Sequence, residues 1–192
     1  MSTRLPTRLF DLAGALAGLL AFSPVMAVIS LAIVLEDGRP VLFRQARLGR
    51  RRMPFTILKF RSMSDGRVTR VGRVLRATGL DELPQFINIL RGDMSAVGPR
   101  PLTESDVTRL GWAGPRCDFR WRVRPGLTGL AQVTEARSGR LSLGLDRRYV
   151  SRQSLSLDLR LVAISFAINA LGKRRVRRLL VRRLRARSRP SA

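Results

Sequence analysis

The sequence predicts a membrane-anchored α/β fold, irregular α+β in layout, in which a long apolar N-terminal helix carries a small mixed domain. Three observations predict it. No residue from Leu12 to Leu35 is charged. Two strand-like stretches flank a basic turn between Pro40 and Met63. The remainder divides into short apolar segments separated by glycine- and proline-rich turns such as "VGPRP" and "VRPGLTG". A chain of 192 residues has room for one compact core with appendages.

The apolar run reaches roughly 36 Å as a straight helix, enough to cross a bilayer. Ser23-Pro24 divides it into Leu12 to Phe22 and Val25 to Leu35, each roughly half of a ~30 Å hydrocarbon core. Pro24 donates no hydrogen bond and leaves the Leu20 carbonyl without its helical partner, a vacancy the Ser23 hydroxyl is placed to fill. Two outcomes fit these residues: a spanning helix with a proline kink, or a hairpin that enters and leaves by one face. Arginines on both flanks, Arg4 and Arg8 before the run and "RQARLGRRR" after it, favour the hairpin, because basic flanks prefer the cytoplasm.

"PVLFRQARLGRRRMPFTILKFRSM" reads as two short strands, near Val41 to Gln45 and Phe55 to Phe60. Residues 66 to 80 read as loop and a short helix carrying "VGRVLR", and a second helix follows Pro84 to about Leu90. Leu155 to Leu171 is apolar and helical, with an uncharged part too short to span a membrane and therefore core or interfacial. From Lys173 to Ala192 there are ten Lys or Arg and no acid, with Val176, Leu179, Leu180 and Leu184 at helical spacing, which suits a basic amphipathic helix on anionic membrane lipid or a solvated tail.

Lys and Arg number 37 against 13 Asp and Glu, a formal charge of +24, so the partners are anionic: nucleic acid, an anionic membrane or a phosphorylated substrate. The absence of histidine excludes Ser-His-Asp triads, Cys-His dyads and histidine zinc sites, and any metal is a hard cation held by oxygen. The lone Cys117 forms no internal disulfide and reads as a small apolar filler. A membrane-tethered nucleic-acid-binding protein is the alternative that charge alone supports, but aromatics are sparse and no nucleic-acid motif is present, so no nucleic-acid partner is expected.

In so basic a chain, "GLDELPQFINILRGDMSAVGPRP" places Asp81 beside Glu82 ahead of a helix. One reading is a helix N-cap. The other draws on the basic residues nearby: Lys59 and Arg61 at the end of a strand, Arg76 before the pair, and Arg100 in the "GPRP" turn. Brought together, they would hold diphosphate oxygens around a carboxylate kept ionised by positive charge, as a nucleophile requires, while the second carboxylate holds Mg²⁺.

At these residues the chain resembles the bacterial sugar transferases, the monotopic phosphoglycosyl transferases. The stretches that carry the resemblance are "VLFRQARLGRRRMPFTILKFRSM", "VGRVLRATGLDELPQFINILRGDMSAVGPRP", "RPGLTGLAQV" and "YVSRQSLSLDLRLV", covering most of residues 9 to 165. The resemblance implies transfer of a sugar 1-phosphate from a UDP-sugar to polyprenyl phosphate, with release of UMP and a Mg²⁺ cofactor, at the cytoplasmic face of a bacterial inner membrane. It implies that Asp81 is the nucleophile, that Glu82 is its metal-linked neighbour, and that Lys59, Arg61, Arg76 and Arg100 bind phosphate. It also implies a re-entrant membrane helix broken at Ser23-Pro24. The expected organisation is then a re-entrant helix over 1–36, a cytoplasmic catalytic domain with interfacial helices over 37–172, and a basic tail over 173–192. Two features depart from the family: "SMSDGRVTRVGRVLR" is shorter than usual, and the tail past Lys173 matches nothing in it. With no multi-helix region before residue 9, the chain reads as the small form.

Overall fold

A computed structural model describes residues 5–134, 136 and 138–171. The basic tail expected over 173–192 lies outside the described residues.

The apolar run forms α1, Leu5–Asp37, with Pro24 inside it. Ser23 Oγ donates to the Leu20 carbonyl at 2.8 Å, the acceptor that Pro24 cannot serve. Backbone helicity continues through Ser23–Pro24, so the break into two limbs of a hairpin, expected from the sequence, is not shown; the proline is accommodated inside one helix. Thr7, Asp11, Ala15, Ile29 and Ile33 are buried along one stripe, while Leu9, Leu16, Leu20, Val28, Leu31 and Leu35 are exposed on the others. A helix that is apolar all round while burying one stripe leaves the rest of its surface suited to lipid.

Each end of α1 grips a helix of the same globular unit. Arg8 donates to the carbonyls of Ile89 and Leu90 at 2.7 and 2.9 Å, in the last turn of α3, Gln85–Arg91. Glu36 accepts from the backbone N–H of Arg70 and Val71 at 2.7 and 2.9 Å, the first turn of α2, Arg70–Thr78. A cation thus completes one helix C-terminus and an anion one helix N-terminus, each satisfying backbone groups that a helix end leaves open. Between these ends, Gly18 lies so close to the Phe86 ring that a Cβ there would stand 2.9 Å from it. Ala15 packs with Ile57, Ile89 and Met94, and Ile29 and Ile33 pack with Phe60, Leu75 and Leu83.

Strands β1, Leu42–Leu48, and β2, Pro54–Phe60, pair antiparallel from Leu42↔Phe60 to Leu48↔Pro54, as the apolar alternation predicts, with β1 running further than expected. A two-residue ribbon follows, β3 (Met63–Ser64) with β4 (Arg67–Val68). Beyond α3, β5 (Ser95–Val97) pairs parallel with β6 (Gly126–Thr128). A Cβ on Gly126 would collide with the Gly98 backbone, so the two loops meet only as glycines. The other helices are α4, Glu104–Leu110, α5, Leu130–Val133, α6, Gly139–Arg152, and α7, Leu155–Leu171. A 3₁₀ segment covers Pro115–Arg122, where fully buried Cys117 packs with Trp112 and Trp121 as the expected filler.

Candidate active site

The acid pair is placed by its neighbours on both sides. Gly72 lets α2 press on the Ser62 backbone, where a Cβ would overlap the carbonyl. One turn later Arg76 Nε donates to Ser62 Oγ at 2.9 Å. Gly79, at φ 74°, ends α2 in the left-handed conformation that glycine adopts without strain. The chain then makes a 3₁₀ turn, Leu80–Glu82, and Pro84 starts α3 without a side-chain cap. Asp81 and Glu82 therefore do not cap α3, and the capping reading of the pair is set aside.

Glu82 instead accepts from Lys59 Nζ at 2.5 Å, a half-buried ion pair between the 3₁₀ turn and β2. Strand alternation turns Lys59 away from the core residues Leu58 and Phe60 on either side of it. Asp81 is half-buried. Burial and then the charge of Glu82 push its carboxyl above the ordinary carboxylate range, and Lys59 and Arg76 oppose the rise. The sequence argument that basic surroundings lower this pKa is thereby corrected: desolvation outweighs the cations.

Lys59 and Glu82 line a cavity of about 560 Å³, with Arg47 and Arg100 also on its walls. Arg100 is presented by a turn held on several sides. Gly98 N–H donates to the Thr128 carbonyl at 2.9 Å and Gly126 N–H to the Pro99 carbonyl at 3.0 Å. Arg120 Nη2 donates to the Arg100 carbonyl at 2.6 Å. Arg120 is itself buried, paired with Asp146 at 2.7 Å and lying over Trp112 and Trp121 at 5.1 and 5.5 Å.

Of the residues singled out in the sequence, the cavity thus gathers Lys59, Glu82 and Arg100. Asp81 lies between the wall residues Gly79 and Glu82, and Arg76 acts on it electrostatically. Arg61 is placed elsewhere: its Nη2 donates to the Asp37 and Gly38 carbonyls at 2.7 and 2.6 Å, fastening the end of α1. Sequence reasoning missed Arg47, which bonds to the Pro101 carbonyl and pairs with Asp106, both at 3.3 Å. It also missed the wall that α7 supplies through Ser165 and Asn169. Arg47 is fixed by the β1–β2 register, which the residue pattern does not set by itself, and nothing local marks the α7 wall.

The family model described as bacterial sugar transferase matches residues 2–170. The chain belongs to the bacterial sugar transferase family. Over 176 residues, 81% of this chain and 66% of the relative, it is 42% identical to a UDP-glucose:undecaprenyl-phosphate glucose-1-phosphate transferase of Caulobacter vibrioides. It is 39% identical to a UDP-N-acetylgalactosamine-undecaprenyl-phosphate N-acetylgalactosaminephosphotransferase of Aeromonas hydrophila, covering 79% of this chain but 40% of that protein. It is also 39% identical to the sugar transferase EpsL of Bacillus subtilis, covering 82% and 84% of the two chains. The chain therefore spans less than two thirds of the first two relatives, and most of the third. The matched region of the family includes the Lys59–Glu82 cavity and α1.

Proposed function

We propose that this chain is a phosphoglycosyl transferase that moves a sugar 1-phosphate from a UDP-sugar to polyprenyl phosphate at the cytoplasmic face of the bacterial inner membrane, as the first membrane step of glycan assembly. The observation that carries this reading is the cavity in which the Lys59–Glu82 pair, with Asp81 beside it, faces Arg47 and Arg100. The names of the Caulobacter and Aeromonas relatives supply the substrate class.

In the first half-reaction an Asp81 carboxylate oxygen attacks the phosphorus that bears the sugar. The bond to the bridging oxygen breaks, and UMP leaves with the electron pair. In the second, a phosphate oxygen of polyprenyl phosphate attacks the aspartyl phosphosugar and frees the Asp81 carboxylate. Arg100 and Arg47 bind and orient the anionic groups, and Lys59 holds Glu82 in place and offsets its charge. Arg76 acts on Asp81 through its charge; Arg61 is given the anchoring role described above.

Among the described residues no group of three potential metal-ligating side chains occurs. Glu82 on the cavity wall, with Asp81 next to it in the chain, nonetheless suits Mg²⁺, which takes one or two carboxylates and completes its shell with water and substrate phosphate. Glu82 would hold it beside the Asp81 nucleophile. When bound, Mg²⁺ reduces repulsion between an anionic nucleophile and an anionic substrate.

α1 is read as re-entrant, with both ends on the cytoplasmic side, because Arg8 and Glu36 bond to the same domain and Ser23-Pro24 lies midway between them. The test of the chemistry is stoichiometric. Without acceptor, UMP is released in an amount no greater than enzyme, and intact-protein mass spectrometry after acid quench finds one phosphosugar added. Asp81→Asn abolishes both signals, while Glu82→Gln weakens them and raises the Mg²⁺ requirement. An Asp81→Asn chain that still gains the phosphosugar mass would sink the reading.

A further inference from the structure

Away from the catalytic cavity, a second concavity of about 550 Å³ opens at the tip of the β1–β2 hairpin, lined by Arg50, Arg51, Arg52 and Arg122 with Asp118 and Trp121. Its backbone is unusual. Met53 N–H donates to the Arg50 carbonyl at 3.2 Å, which makes Arg51 and Arg52 the central residues of the turn, and both have positive φ, 57° and 59°. This is the arrangement of a type I′ turn, for which Asn-Gly is the favoured pair. Two successive arginines there break the local rule, and such strain persists where the surroundings hold it and clusters at functional positions.

The hold is visible. Arg52 Nη2 donates to the Ala113 carbonyl at 2.7 Å and to Asp118 Oδ1 at 2.9 Å, and its guanidinium lies 5.4 Å over the Trp121 ring. Asp118, the acid among the lining residues, is thus already engaged, while Arg51 and Arg122 are exposed. The turn geometry needs no arginine, so the charges serve something else.

Position indicates what. Arg124 lies within electrostatic reach of both Arg50 and Arg8, and it donates to the Gly92 carbonyl at 2.7 Å, next to the α3 carbonyls that Arg8 holds. A row of cations therefore leads from the turn to the foot of α1, where Leu5 and Leu9 are 71% and 58% exposed. Met53, adjoining the turn, is 66% exposed. A basic concavity edged by an exposed methionine, beside the base of an apolar helix, matches a phosphodiester lying above acyl chains.

We propose that the β1–β2 turn is a second membrane contact, in which Arg50, Arg51 and Arg122 receive the phosphodiester of an anionic bilayer lipid, Met53 enters the acyl boundary, and Arg52 staples the turn to the 3₁₀ segment. This rests on the reading of α1 as a membrane anchor and is independent of the chemistry proposed for Asp81.

The test uses the full chain, floated with vesicles of phosphatidylcholine alone or mixed with phosphatidylglycerol at constant ionic strength. Arg51→Gln/Arg122→Gln removes two exposed charges assigned to the lipid and keeps the Arg52 staple, so its melting temperature is expected to hold. Its partition onto the phosphatidylglycerol vesicles falls about thirtyfold, given roughly 1 kcal/mol for each of the two basic residues removed, with partition onto phosphatidylcholine unchanged. Met53→Cys in a Cys117→Ser background, labelled with an environment-sensitive fluorophore, shifts to the blue on the mixed vesicles and not on phosphatidylcholine. Unchanged partition, equal loss on both vesicle types, no blue shift, or displacement by inorganic phosphate at equal ionic strength would each overturn the proposal. Failure of the wild type to float on phosphatidylcholine counts separately, against the membrane reading of α1.

Discussion

Lys59 Nζ donates to Glu82 Oε1 at 2.5 Å, joining β2 to the 3₁₀ turn that carries Asp81. The bond fixes Glu82 and places a cation where two adjacent carboxylates would otherwise repel. Lys59→Met removes that cation, and the Asp81 carboxyl, already raised by burial and by Glu82, rises further. On the proposed mechanism Asp81 attacks as the carboxylate, so the acid limb of the pH–rate profile is expected to move to higher pH. UMP release near neutrality falls by about 10²-fold or more, the scale of losing one group that stabilises developing charge. Single-turnover measurements across pH check this, and a limb that stays at the wild-type pH counts against it.

The Arg120–Asp146 pair separates folding from positioning. Asp146→Ala leaves a buried guanidinium unpaired and lowers stability by about 3–5 kcal/mol in denaturant unfolding. Arg120→Met/Asp146→Leu recovers most of that stability, because the indole faces of Trp112 and Trp121 accept an apolar neighbour. The double variant still loses the bond to the Arg100 carbonyl, so on the proposed function its KM for a UDP-sugar is expected to exceed that of the wild type. Full recovery of KM along with stability would show that the bond positions nothing.

Gly72→Ala drives a methyl into the Ser62 carbonyl and lifts α2 away from it. Because α2 leads through Gly79 into the turn of Asp81, turnover drops by more than the loss of folded protein explains. Specific activity per folded molecule, measured beside circular dichroism, separates the two effects.

Asp158 gives a pH signature in stability. Burial pushes its carboxyl up to about 6, against the hydrogen bond from the Tyr149 hydroxyl at 2.9 Å. The folded state therefore binds this proton more tightly than the unfolded chain, whose carboxyl keeps its ordinary value of 3.8. Its contribution is most favourable below that value and declines as pH rises towards about 6. Asp158→Asn flattens this part of the stability–pH curve, which melting temperatures across the interval report.

Topology is tested by single cysteines at Ser2 and at exposed Ser105, in a Cys117→Ser background. With α1 tied at both ends to one domain, an impermeant reagent reaches both positions from the cytoplasmic side alone. Labelling of position 2 from the periplasm would require a spanning helix.

Much of this architecture is legible in the sequence where one residue pattern has one structural meaning. Alternating apolar residues disclosed β2, and the apolar segment Leu155–Leu171 coincides with α7. The acid pair stands out because its surroundings are so basic, and the sequence alone pairs the Leu20 carbonyl with the Ser23 hydroxyl, as the structure has it. What was not legible depends on register and remote contact. The arginines of "RQARLGRRR" look alike until the pairing Arg47↔Phe55 and the bond from Leu48 N–H to the Leu102 carbonyl turn Arg47 to the cavity. Arg61 reads as a phosphate ligand until the end of α1 arrives beside it. Helix α4 carried a readable signal that was overlooked, the Thr103–Asp106 capping box. The α6 range, glycine-led and heavily charged, offered no clear apolar face, and its helix is held by buried Tyr149 and Asp146.

On the reading of α1 as a membrane anchor, its fastening at Arg8 and Glu36 removes a freedom that a helix held at one end keeps. A helix tethered at one end answers a thicker or thinner membrane by tilting or sliding. Here either motion relative to the domain would tear a guanidinium from α3 or a carboxylate from α2, so α1 and the domain move in the lipid only as one body. The position of the Lys59–Glu82 cavity relative to α1 is then fixed by the protein, and on the proposed function the polyprenyl phosphate must rise to the cavity, because the cavity does not descend to it.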